Sequence, residues 1–259
     1  IHPGTGLHLT HMVHTLTRRR HRLAPVLLLI AMAACGSNDG ELAAEHAAML
    51  DAIRHSVRES ADYTGRAALS DKVMDAMAAV SREEFVLPAY RHLAYQNTPL
   101  PIEAGQTISQ PLIVALMTDL LDPEPGDVVL EVGTGSGYQA AVLAELVKHV
   151  YSVEIVEELA ESAAATLKRL EYDNVTVRAG DGYAGWPEHA PFDGIIVTAA
   201  AEEIPPPLLQ QLKAGGKLVI PVGEEFGYQE LLLIEVNANG EVEKRSVLPV
   251  RFVPLTGER

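Results

Sequence analysis

Apolar and polar positions fall into two rhythms that alternate from residue 111 onward. Short, largely apolar runs occur at Val128 to Val132, Val150 to Ile155, Val175 to Arg178, Phe192 to Val197 and Lys217 to Pro221. Each reads as a strand covered on both faces, as in a parallel sheet. Between them, Pro111 opens a helix over Leu112 to Leu121, and helical spacing recurs at Tyr138 to Lys148, Leu159 to Leu170 and Pro205 to Leu212. Strand and helix in alternation predict an α/β fold. Glu230 to Val236 and Val247 to Val253 read as a closing antiparallel pair, connected through Asn237-Ala238-Asn239-Gly240. Upstream, Glu41 to Glu59 is an alanine-rich helix with Met49, Leu50, Ile53 and Val57 on one stripe. Ser70 reads as the N-cap of a helix through Val80, and Pro88 ends the segment after it. Residues 94–111, with three prolines and clustered amides and hydroxyls, form an irregular loop whose Thr107 and Ser109 are either functional or helix caps. The chain thus divides into 1–34, 35–110 and 111–259.

The chemistry concentrates where the first strand of the alternating region ends, at Glu131-Val132-Gly133-Thr134-Gly135-Ser136-Gly137. Alternating glycines let the backbone take positive φ and approach a ligand closely. The following helix turns its unpaired N–H groups toward that point. A dinucleotide fingerprint requires a third glycine three residues after the second, and position 138 is Tyr. The spacing therefore favours a nucleoside without pyrophosphate, such as S-adenosylmethionine, over a dinucleotide; the alternative is a purely structural turn. Glu154, at the tip of the next strand, is placed to accept from a ribose diol, or is a solvated edge acid. Asp181, between Gly180 and Gly182, accepts from an adenine amino group or only stabilises a turn.

Composition narrows this further. With 259 residues, 47% of them apolar, the chain can bury a sizeable core. Thr17-Arg18-Arg19-Arg20-His21-Arg22, the apolar Leu23 to Ala34 and then Cys35 have the layout of a secretory signal, too short to span a bilayer. The small residues before Cys35 resemble a bacterial lipoprotein cleavage and acylation site, so membrane anchoring through a lipidated Cys35 is one expectation. A mistranslated upstream extension with no role is the other, and cytoplasmic and envelope locations both stay open. Without the first 34 residues, 16 basic face 35 acidic residues, a formal charge of −19. Such a surface repels phosphate backbones, so no nucleic-acid partner is expected. One cysteine excludes an internal disulfide, and the histidines His46, His55, His92, His149 and His189 show no metal spacing.

Gly180-Asp181-Gly182-Tyr183-Ala184-Gly185-Trp186-Pro187-Glu188-His189-Ala190-Pro191-Phe192-Asp193-Gly194-Ile195 resembles the signature of the protein-L-isoaspartate O-methyltransferases. So do the Gly105 to Pro111 loop, the glycine turn, Leu218 to Gly223 and the ending Val250 to Thr256, from about residue 45 to the C-terminus. The resemblance implies a Rossmann-like, mostly parallel seven-stranded sheet with helices on both faces and its last strands exchanged relative to most methyltransferases. It implies S-adenosylmethionine as donor, L-isoaspartyl residues of damaged proteins and peptides as acceptors, and a monomer. By position, Gly133, Gly135 and Gly137 line the methionine portion, Glu154 holds the ribose and Asp181 with Gly182 meets the adenine. Thr107, Ile108, Glu131 and Thr256 complete the cofactor set; Ser109 matches the active-site residue. Val250, Arg251, Phe252 and Val253 match a strand that contacts substrate backbone. Leu112 stands where some members carry His or an aromatic residue, a departure in the acceptor region. Methylation of the isoaspartyl carboxylate would be followed by uncatalysed closure to a succinimide. Two other functions fit the residues: a non-catalytic nucleoside-binding envelope lipoprotein, and a methyltransferase with another carboxylate acceptor. Thr198-Ala199-Ala200-Ala201, in place of an Asn/Asp-Pro-Pro-aromatic run, argues against amino-group chemistry on bases.

Overall fold

The structure is a computed structural model that describes residues 24–224, 227–237 and 239–258, with side chains from residue 40 onward. The basic stretch Thr17 to Arg22 and the Cys35 side chain lie outside the described residues. The chain divides into two units, 1–42 and 43–259. No described helix is long and apolar enough to cross a membrane.

The helix α1 (Ala24–Glu59) is followed by α2 (Ala61–Thr64) and α3 (Asp71–Ala79). A two-stranded hairpin, β1 (Leu100–Pro101) with β2 (Thr107–Ile108), then leads into α4 (Pro111–Leu121). The alternating region supplies β3 (Val128–Val132), α5 (Tyr138–Ala144), β4 (His149–Glu154), α6 (Glu157–Arg169), β5 (Val175–Ala179) and β6 (Phe192–Val197). It ends with α7 (Pro206–Gln210), β7 (Leu212–Gly223), β8 (Gln229–Val236) and β9 (Val242–Val250). Seven strands form one sheet in the order β5-β4-β3-β6-β7-β8-β9, parallel from β5 to β7 and antiparallel over the last two pairs. The fold is the expected α/β architecture, and the strand order reverses beside β3. That reversal is the place where open α/β sheets bind ligands, outside the C-terminal strand ends.

Local chemistry explains the element ends. Pro111 occupies the first helical position of α4, where a missing N–H costs nothing, and Asp122 closes the helix in the left-handed region at φ 54°. In α6, Glu157 and Glu158 lie in the first turn and Lys168 and Arg169 in the last, matching the helix dipole at both ends. The buried Met49, Ile53 and Val57 are the packing stripe expected of α1. On one face of the sheet, Leu130, Val132, Ile195, Val197, Leu218, Ile220, Leu232 and Ile234 form a continuous apolar layer with Trp186, Leu208 and Leu255. The other face carries the alternate residues, Glu131 and Ser152 among them, which are register neighbours on β3 and β4.

Several boundaries differ from the sequence expectation. The helix α5 stops at Ala144 rather than at Lys148. The strand β7 starts at Leu212 rather than Lys217, because Phe192 pairs with Leu212 while Gly194 pairs with Lys217, leaving 213–216 as an irregularity inside the strand. The strand β9 runs from Val242 to Val250 rather than Val247 to Val253. Its exposed first half is held by backbone pairing to β8, which no apolar pattern reports. Pro88 opens a short 3-10 helix, Pro88–Leu93, instead of ending an element. Ser70 stands at the N-cap of α3, but its hydroxyl caps nothing; its amide instead donates to Asp119 Oδ1 at 2.8 Å.

Candidate functional site

The site is assembled where β3, β4 and β6 end. After Val132 the chain passes through Gly133, Gly135 and Gly137, all at positive φ (96°, 53° and 88°). At Gly133 a Cβ would collide with Thr198 Oγ1, so no other residue fits that backbone without displacement. Glu154, nearly buried, accepts from the Gly135 amide through Oε2 at 2.8 Å and from the Val156 amide through Oε1 at 3.0 Å. A carboxylate has about four lone-pair sites, so capacity remains for a diol. Beside it, Ile155 is 42% exposed and, with Val156, gives the cleft an apolar wall. The cleft is lined further by Thr107, Gly133, Gly135, Gly182, Thr198 and Thr256. Acceptor, apolar wall and glycine turn together fit an adenosine-bearing group such as S-adenosylmethionine.

The expected cofactor residues separate into three groups. Thr107, Gly133, Gly135, Glu154, Gly182 and Thr256 line the cleft itself. Ile108 lines a smaller adjoining space with Ser109, Thr134, Ser136 and Gln139. Glu131, Gly137 and Asp181 do not line the cleft. Gly137 caps α5 and packs against Leu167. Asp181 accepts from the Tyr183 amide at 2.9 Å and from the Glu258 amide at 2.7 Å, and borders a separate pocket with Glu202, Glu203 and Pro205. Glu131 is fully buried beneath the turn, where Ser152 Oγ donates to its Oε2 and lies 2.6 Å from Thr134 Oγ1. Its Oε1 has no partner among the described residues, and burial pushes its carboxyl up to about 8, against the lowering effect of Ser152 and with the help of Glu154. Glu131 therefore supports the turn from below.

A second groove, of about 490 Å³, joins the cleft along one wall. It is lined by Ser109, Leu112 and Ile113 on one side and by Leu248 to Val253 on the other. Ser109 is placed by its loop. Arg82, fully buried, donates from Nε to the Ala94 carbonyl at 2.8 Å and lies 4.9 Å over the Tyr138 ring. Asn97 Oδ1 accepts from the Leu112 amide, and Gln110 Nε2 donates to the Asn97 carbonyl, each at 3.0 Å. These contacts bracket Ser109, whose own hydroxyl has no hydrogen-bond partner among the described residues. Val250 ends β9, whereas Arg251, Phe252 and Val253 lie beyond it. From there the chain crosses to the β6 end: the Ala200 amide donates to the Val253 carbonyl at 2.8 Å and the Leu255 amide to the Ala200 carbonyl at 2.7 Å.

Thr198 belongs to the site although the sequence patterns did not assign it there. With Thr107 it lines the cleft, the groove and the space between them. Its position, first after β6 at the C-terminal edge of a parallel sheet, was a usable signal. Among the described residues, no group of three or more His, Cys, Asp or Glu side chains could hold a metal ion.

Comparison with known proteins agrees with this geometry. The family model described as Protein-L-isoaspartate(D-aspartate) O-methyltransferase (PCMT) matches residues 60–259. Protein-L-isoaspartate O-methyltransferase 2 of Syntrophobacter fumaroxidans is 58% identical over 235 residues, covering 90% of this chain and 95% of the relative. The protein of the same name from a Polaromonas species is 60% identical over 211 residues, 82% of this chain and all of the relative (100%). Among solved structures, a Plasmodium falciparum protein described as a protein-L-isoaspartate O-methyltransferase, in complex with S-adenosyl-L-homocysteine, superposes with a TM-score of 0.67 at 29% identity. That match covers 82% of this chain and 98% of the other. The chain belongs to the protein-L-isoaspartate(D-aspartate) O-methyltransferase family.

Proposed function

We propose that the protein transfers a methyl group from S-adenosylmethionine to the free carboxylate of L-isoaspartyl residues in damaged proteins and peptides. The observation that carries the reading is the shared wall: Thr107 and Thr198 line both the cleft suited to the donor and the groove that holds Ser109. Donor and acceptor would therefore meet without crossing solvent.

When bound, the donor supplies a methyl group already activated on a sulfonium. The acceptor carboxylate, with a reference pKa near ~4, is ionised at neutral pH, and no general base is required. What remains for the protein is alignment and exclusion of water, worth up to roughly 7–11 kcal/mol for well-oriented reactants. Glu154 would hold the ribose, the glycine turn would admit the methionine portion, and Ser109 would hold the carboxylate through its hydroxyl. The protein's formal charge of −15 opposes an anionic acceptor. The groove offsets this locally, since Arg251 is the one charged residue among those lining it. Outside the enzyme, the neighbouring backbone nitrogen would then attack the ester carbonyl and expel methanol, closing a succinimide.

The test uses the full chain, methyl-labelled S-adenosylmethionine and two peptides that differ only in isoaspartyl versus normal aspartyl linkage. Label on the isoaspartyl peptide alone is the expected result; cofactor binding with no label on either peptide would sink the reading. We also propose a monomer, as the family resemblance implies, and anchoring by acylation of Cys35, which the basic and apolar layout of Thr17 to Cys35 supports. Fractionation of the parent and of Cys35→Ala tests the anchoring, and a parent found only in the cytosol refutes it. Sedimentation tests the oligomeric state, with a stable dimer as the opposing result.

A further inference from the structure

We infer that Gln229 is a positioning residue for the acceptor peptide, its side-chain amide holding Phe252 and with it the groove wall of residues 250–253. The inference rests on the proposed methyltransferase activity and concerns a residue outside both the cleft and the groove.

Pairing between β8 and β9 ends at Gln229 opposite Val250. Past that point the chain leaves the sheet, and the backbone of Phe252 has no strand to pair with. The Gln229 side chain takes over: Oε1 accepts from the Phe252 amide at 2.7 Å, and Nε2 donates to the Phe252 carbonyl at 3.3 Å. A primary amide carries the donor and acceptor of a peptide group, so it extends the ladder by one rung. The second Nε2 proton goes to the Glu224 carbonyl at 3.3 Å, which ties the bracket to the β7–β8 connection. Gln229 is 2% exposed, so water cannot replace these bonds cheaply.

The two ends of the C-terminal segment are secured separately. Toward the cofactor cleft, Val253 and Leu255 are bonded to Ala200, Tyr183 Oη donates to the Leu255 carbonyl at 3.2 Å, and Asp181 accepts from Glu258. Toward the groove, the Gln229 bracket is the tether of Phe252 among the described residues. Its loss should therefore loosen the acceptor wall while leaving the donor wall in place. A residue that serves stability alone would not separate the two substrates in this way.

The experiment compares the full chain with Gln229→Met, a near-isostere that neither accepts from the amide nor donates to the carbonyl. Steady-state release of S-adenosylhomocysteine gives KM for an isoaspartyl peptide and kcat at saturating peptide, and calorimetry gives the S-adenosylhomocysteine Kd. Ile234→Val, a core change in the same strand, serves as a control for lost stability. The expected result is a peptide KM raised about ten-fold, equivalent to ~1.4 kcal/mol, with kcat and cofactor Kd within about two-fold and a smaller or absent KM change in Ile234→Val. Gln229→Glu, whose carboxylate would face the Phe252 and Glu224 carbonyls in a buried site, should raise the peptide KM at least as much as Gln229→Met. An unchanged peptide KM, or equal changes in KM and cofactor Kd, overturns the inference. If neither variant folds, hydrogen exchange on the parent decides: protection of the Phe252 amide comparable to β9 is expected, and exchange as fast as at Thr256 and Gly257 refutes it. A parent that methylates no isoaspartyl peptide would refute the functional reading itself, a separate outcome.

Discussion

Glu154 Oε2 accepts a hydrogen bond from the Gly135 amide at 2.8 Å, joining the acid at the tip of β4 to the glycine turn that follows β3. The residue expected to hold a ribose thus also holds the loop expected to admit the methionine portion. Removing its charge should weaken both. Hydrogen bonds to a charged group are worth about 1.5–3 kcal/mol, so Glu154→Gln should raise the S-adenosylhomocysteine Kd by about 10- to 100-fold, measured by calorimetry. An affinity within two-fold of the parent would place the ribose elsewhere.

Ser109 separates acceptor chemistry from donor binding, because it lines the groove and the adjoining space rather than the cleft. Ser109→Ala should lower methyl transfer by about 10²- to 10³-fold, the range for removing one placed hydrogen-bond donor. The S-adenosylhomocysteine Kd should stay unchanged. Transfer at the parental rate would refute the role.

Gly133 and Thr198 form a backbone-to-side-chain contact with no spare room. Gly133→Ala should cost about 2–4 kcal/mol in thermal unfolding, since it combines a positive φ with a steric overlap. Thr198→Ala removes the overlapping hydroxyl and should recover part of that loss in the double variant, leaving the φ penalty. A strictly additive pair would show that the two residues do not touch.

Glu131 makes stability depend on pH. Burial, aided by Glu154, raises its carboxyl from an ordinary 4.5 to about 8 in the folded chain. Between those values the folded state keeps a proton that the unfolded state has released, so this contribution is present in full below pH 4.5 and is lost as pH rises through 8. Glu131→Gln should flatten that part of the melting-temperature profile and gain on the parent most at pH 8 and above. Parallel profiles for the two proteins would show that Glu131 is ionised in the fold.

The candidate site was legible in the sequence where its parts are local in the chain. The glycines and Glu154 each stand at the end of a strand whose apolar pattern is clear, whereas Ser109 lies in an irregular loop and is singled out by the family resemblance; the structure brings Gly133, Gly135 and Glu154 into one cleft. Asp181 and Glu131 were legible as residues but not as partners. One is engaged by the Glu258 backbone amide and the other is sealed under the turn against Ser152, and both facts depend on segments distant in sequence.

By itself, the sequence determined the alternation of strands and helices, the ends of β3 and β6, the proline start of α4 and the turn that only glycine permits, because sterics, periodicity and burial act over a few residues. Tertiary structure alone decided the extra length of β7 and the shift of β9, where backbone pairing to neighbouring strands outweighs side-chain pattern. It also decided that Thr198 meets Gly133 and that Gln229 holds Phe252, since each contact joins segments whose approach is set by the sheet order.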